Sequence, residues 1–150
     1  MADYDRMIQL FGYEHDNGRD SILWQKPGYF SRPGGQQGRM LDDGLEAWKA
    51  KKRIFTRDEV LQGQWIKIAD HGNRCIVQFH ADGTLTETDL FNTGDSWHGQ
   101  WRLVGDVLRV NIGKYELDIV ANKDGAIHSG IEFESGGYKP TTYFKVIHLV

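Results

Sequence analysis

The chain has 150 residues, 39% of them apolar and 26% charged, and its 18 Lys/Arg against 21 Asp/Glu give a formal charge of −3. That is one ordinary domain's worth of chain, able to bury roughly two thirds of its unfolded surface without disulfide or metal staples. The charge balance excludes a strongly basic nucleic-acid binder, and no run approaches the ~18 apolar residues of a membrane helix, so neither nucleic acid nor membrane is an expected partner.

The opening MADYDRMIQLF carries acids where a secretory leader needs basic residues, and the single Cys75 sits within an apolar run. Both features make a reducing, cytoplasmic setting the expectation. Tyr4, Met7, Ile8 and Phe11 recur at helical spacing and predict a short amphipathic helix ending near Gly12. After Ile22-Leu23-Trp24, the stretch KPGYFSRPGGQQG over 26–38 contains two prolines and four glycines and predicts a long loop. Leu41, Leu45 and Trp48 mark one face of a second helix, which opens with Asp42 and Asp43 and closes on Lys49, Lys51, Lys52 and Arg53. That order complements the helix dipole, which explains the basic cluster without a phosphate ligand. Thr56 followed by Glu59 has the form of a capping box for one further turn.

From residue 63 the period switches to two, with turn signals every eight to twelve residues. Strands are predicted near 63–69, 74–80, 84–90, 96–104, 107–112, 114–121, 126–134 and 142–149. A turn or bulge at Gly113 follows from a break in phase, since Leu108, Val110 and Ile112 are even-numbered whereas Tyr115, Leu117 and Ile119 are odd. The predicted class is therefore mainly β. An eight-stranded antiparallel meander closes into a barrel over 63–150, and an extension over 1–62, with two short helices and a Gly/Pro-rich loop, packs on it within one domain. A two-sheet sandwich is the rival. The expected inward residues are Trp65, Cys75, Val77, Phe79, Trp97, Trp101, Leu108, Val110, Tyr115, Leu117, Ile119, Ile127, Ile131, Phe133, Phe144 and Val146.

Leu61-x-Gly63-x-Trp65 resembles the lead-in to the first strand of the calycin superfamily, the lipocalin-like and avidin-like β-barrels. The likeness extends to Ile76-Val77, to Ala81-Asp82-Gly83-x-Leu85-Thr86-x-Thr88 and to Trp97-x-Gly99-Gln100-Trp101, about the first forty residues of the barrel. It implies a barrel with the tryptophan plugging one end. The polar residues that hold biotin in avidin-type proteins are not matched, since Lys67 and His71 stand in their places, and that chemistry is not carried over.

For chemistry the chain offers little that is local. His80, His98 and His128 fall opposite the predicted apolar face beside Gln78, Gln100, Glu132 and Glu134, without the spacing of a zinc site. Glu87, Asp89, Glu116 and Asp118 read, with Glu132 and Glu134, as a solvated outer face. No nucleophile elbow or phosphate loop appears, and no metal or cofactor is implied. What stands out is aromatic content, five Trp in all. Trp65, Phe79, Trp97, Trp101, Tyr115, Tyr143 and Phe144 are the expected walls of a ligand pocket, with Ser129, His148 and Thr86 as polar contacts and the segment from Trp24 to Tyr29 as a lid. Three functions follow as alternatives. The first is a barrel binding a small hydrophobic or aromatic molecule. The second is a protein-interaction domain with a solid core. The third is an isomerase or cyclase using His148 or Tyr115 as acid or base.

Overall fold

The computed structural model describes residues 2–25, 44–92, 94–135, 137 and 139–150. Helix α1 (Ala2–Gly12) runs into a π-helical turn (Tyr13–Asn17), a short 3-10 turn (Gly18–Asp20) and helix α2 (Ile22–Gln25). Residues 44–49 form helix α3, followed by the two-residue strand β1 (Lys52–Arg53) and helix α4 (Arg57–Leu61). The expected capping box is present: Thr56 Oγ1 accepts from the Glu59 amide at 3.2 Å, and the Thr56 amide donates to Glu59 Oε2 at 2.8 Å. The Gly/Pro-rich stretch, Leu41 and the acidic opening of α3 lie outside the described residues.

All eight predicted strands are found. They are β2 (Gln64–Ala69), β3 (Arg74–Phe79), β4 (Thr84–Asp89), β5 (Ser96–Val104), β6 (Val107–Ile112), β7 (Tyr115–Asn122), β8 (Ile127–Glu134) and β9 (Pro140–Leu149). Each pairs antiparallel with the next, and β9 returns to β2 with Trp65 opposite His148 and Ala69 opposite Phe144. This last ladder closes the barrel and rules out the open sandwich. Gly63 shows why a glycine precedes the tryptophan. It holds φ 67° where the chain swings from α4 into β2, and a Cβ there would meet the Leu149 carbonyl oxygen at 2.1 Å.

Alternation along each strand sorts side chains between the barrel interior and its outer wall. Trp65, Phe79, Leu85, Trp101, Leu108, Val110, Leu117, Ile119, Phe144 and Val146 form the inner core, with Phe55 and Val60 from the segment before β2. Strand β8 departs from expectation. Ile131 and Phe133 point outward, where they join Ile8, Leu10, Phe11, Leu23, Trp24, Val120 and Tyr143 in a second core beneath the helices. Ile127, also expected inside, is 50% exposed. His128, Glu132 and Glu134, expected on the solvent side, share the inner face with Gly130, as the pairing of His128 with Val146, Glu132 with Thr142 and Glu134 with Tyr115 requires. The physical reason is that α1 and α2 cover this part of the wall, so the outward positions of β8 are themselves apolar and reverse the apparent phase.

Three polar clusters fasten the extension to the barrel. Arg6 pairs with Glu116 and lies 3.7 Å from Asp118, which in turn receives a two-point contact from Arg109 at 2.8 and 3.1 Å. Glu14 accepts from Ser129 Oγ, Tyr143 OH at 2.7 Å, Trp48 Nε1 at 2.9 Å and Lys52 Nζ at 3.0 Å. Asp70 accepts from Tyr13 and from two nitrogens of Arg19.

Candidate functional site

The barrel is filled at one end and hollow at the other. At the α4 end Trp65 is fully buried, its indole N–H donating to the Val60 carbonyl at 3.2 Å and its ring stacked on His148 at 3.7 Å. Phe55 and Phe79 meet it edge-on, and Phe79 in turn meets Trp101. The Trp101 indole N–H donates to the His80 carbonyl at 2.8 Å, and Arg57 of α4 lies over its ring. Every ring in this plug has packed neighbours, and each indole donor has an acceptor, as a stable interior demands.

Toward the opposite end the inward positions change character. Lys67 follows Trp65 by two residues on β2, and Glu87 follows Leu85 by two on β4, so alternation carries both into the barrel. They form an ion pair there, with side chains only 12% and 7% exposed. The Lys67 ammonium also lies 5.6 Å from the centre of the Phe144 ring. Below the pair a void of about 10 Å³ remains, lined by Val77, Phe79, Leu85, Val110, Leu117, Ile119 and Val146. Above it opens a cup of about 490 Å³, walled by Cys75, Trp97, Ile112, Tyr115 and Glu132. The Lys67–Glu87 pair is thus the floor of the cup. Cys75, 1% exposed, has its thiol pushed up to about 12 by burial and by the neighbouring Glu87 carboxylate, so it is protonated and unreactive at neutral pH.

No family model, no curated protein and no solved structure matches the chain.

The structure divides the nominated ligand-binding residues into three groups. Trp97 and Tyr115 line the cup. Trp65, Phe79, Trp101, Phe144 and His148 belong to the filled half; the His148 imidazole Nε2 is 2.6 Å from the Gln62 carbonyl oxygen. Ser129 and Tyr143 stand on the outer wall, where both donate to Glu14. Thr86 faces outward too and contacts His80 at 3.3 Å. His148 and Tyr115, the two nominated acid–base residues, lie at opposite ends of the barrel. Trp24, expected in a lid, packs beneath the extension beside Tyr13, with ring centres 4.8 Å apart; residues 26–29 lie outside the described residues.

Of the six acids expected on a solvated face, Glu87 faces the interior, and Asp118 is buried outside the barrel against Arg109. The three histidines do not converge, and among the described residues no group of three or more His, Cys, Asp or Glu is placed to hold a metal ion. His128 is 1% exposed between Trp65 and Phe55, with Nδ1 accepting from the Asn122 amide at 3.0 Å. Burial, with Arg53 nearby, drops its pKa to about 4. The floor pair was legible in principle: Trp65-x-Lys67 and Leu85-x-Glu87 place each charge on the face of a core residue.

Proposed function

We propose that the protein is a calycin-like barrel that holds a small molecule with a flat apolar body in the cup above Lys67 and Glu87. The observation that carries this reading is the division of the interior: rings and aliphatic chains pack the α4 end, while about 490 Å³ stays open at the other end between Trp97, Ile112 and Tyr115. That volume lies within the range of small-molecule sites, and a mostly apolar wall with a few polar groups is their usual lining. Trp97 adds support. A tryptophan 45% exposed on an inward-facing position is costly to leave wet, and a flat ligand laid on it would remove that surface from water.

A thermal-shift screen of retinoids, fatty acids, tetrapyrroles and aromatic polyketides tests the reading. A ligand of the native state at one hundred times its Kd adds about 2.7 kcal/mol and raises Tm by several degrees. Trp97→Ala and Tyr115→Ala should weaken the interaction of any hit, whereas His148→Ala should not. Hits unaffected by either cup substitution would place binding elsewhere, and a screen with no hits would count against the cup.

A further inference from the structure

We propose that the cup selects ligands whose flat apolar body carries a cationic amine, a specification that rests on the binding reading above. Among the described residues four charged side chains line the cup, Lys67, Glu87, Lys114 and Glu132, and they are unevenly paired. The Lys67 ammonium is taken up by Glu87, and the buried pair is neutral as a unit. Glu132, opposite Leu117 on the inner face of β8, is half-buried in the cup wall and accepts a hydrogen bond from Thr141 Oγ1 at 2.8 Å. It makes no ion pair among the described residues. Glu134 follows two residues later on the same face, directly across from Tyr115, also without an ion pair among them. Lys114 also lines the cup; it is solvent-exposed on the β6–β7 turn, with Nζ 5.4 Å from the centre of the Tyr115 ring. An exposed lysine on a flexible stem is screened by water and yields its place at little cost.

A carboxylate in a partly desolvated wall that shares its cup with the rings of Trp97 and Tyr115 is the combination that attracts an ammonium group. The carboxylate supplies a charge-assisted hydrogen bond, and the ring faces supply a cation–π attraction. An anionic ligand meets the opposite situation, with Glu132 beside it and the floor lysine already paired. Fatty acids are therefore the least suited of the apolar classes.

The test is a charge series on constant bodies, measured by titration calorimetry on the full chain: naphthylethylamine, naphthylethanol and naphthylacetate, then the corresponding pyrenyl amine, alcohol and carboxylate. The expected order is amine, alcohol, carboxylate, with the amine about tenfold tighter than the alcohol, the size of one partly desolvated ionic contact. Glu132→Gln keeps an acceptor for Thr141 and should abolish the amine's advantage while leaving the alcohol's affinity unchanged. A carboxylate that binds tightest, an alcohol that equals the amine, or an amine advantage that survives Glu132→Gln would overturn the inference while leaving the cup as a binding site. Failure of all six probes would instead remove the binding reading on which it rests.

Discussion

Trp65 and Trp97 both occupy inward positions of the barrel, yet one is wholly buried and the other is 45% exposed. The difference separates folding from binding within one residue type. Trp65→Ala leaves a void among Phe55, Phe79 and His148 and strands the Val60 carbonyl, so it should cost about 3–5 kcal/mol by urea denaturation. An unchanged midpoint would contradict the packed plug. His128 yields a pH prediction. Its Nδ1 is an acceptor in the fold, and an imidazolium has no lone pair to offer the Asn122 amide. With a folded pKa of about 4 against about 6.5 unfolded, only the unfolded chain takes up the proton as pH falls between those values. Stability is thus fully present above pH ~6.5 and declines toward pH ~4, by roughly 3 kcal/mol in total. His128→Asn keeps an acceptor that does not titrate in this range; its denaturation midpoint should be flat between pH 7 and 5, where the parent's falls.

Strand β8 is covered on both faces, by Phe144 and its neighbours within the barrel and by α1 without. Gly130 marks how close the inner contact is: a Cβ there would meet the Phe144 ring at 2.2 Å. The outer cover depends on Glu14, which gathers donors from α3, β1, β8 and β9. Burial works to raise its pKa, but the hydrogen bond from Ser129 and the charge of Lys52 hold it below the usual carboxylate range. Glu14→Ala leaves Ser129, Tyr143, Trp48 and Lys52 without this acceptor and should destabilise the fold by about 3 kcal/mol. The same variant should expose Tyr143 and Phe133 to limited proteolysis and dye binding; a variant as stable and protected as the parent would show that the apolar contacts of α1 suffice. This double cover also masks the phase of β8 in the sequence. Hairpin signals at Asp82-Gly83, Gly105-Asp106 and Gly113 are local, and the eight barrel strands were legible from them, whereas β1, at Lys52–Arg53 where a helix end was expected, was not. The face of β8 was not, because Ile131 and Phe133 are apolar for the sake of α1 and α2, which arrive from more than a hundred residues upstream.

Taken whole, the molecule is a barrel with a helical jacket on part of its outer wall, a plug of rings at one end and a cup at the other. The closed meander was legible because hairpin connection in sequence order leaves few topologies for eight strands. The cup was not. Its depth depends on Lys67, Glu87 and Glu132 turning inward together, and two of those three acids and bases read as ordinary strand surface until the registers of β2, β4 and β8 are fixed against their neighbours. The alternation that revealed the rings would have revealed the floor pair too, had charge on a core-facing position been treated as a signal of its own.

Among the described residues, the plug beneath the Lys67–Glu87 pair closes one end of the barrel and leaves the cup open at the other. A ligand entering or leaving the cup at that end passes the rim at the β4–β5 connection, where Phe91 stands 75% exposed. A change confined to that rim alters arrival and departure by one common factor, since both cross one barrier. Phe91→Ala should accordingly shift the association and dissociation rates of a cup ligand together in stopped-flow measurements and leave Kd nearly constant, whereas Trp97→Ala should act mainly on the dissociation rate.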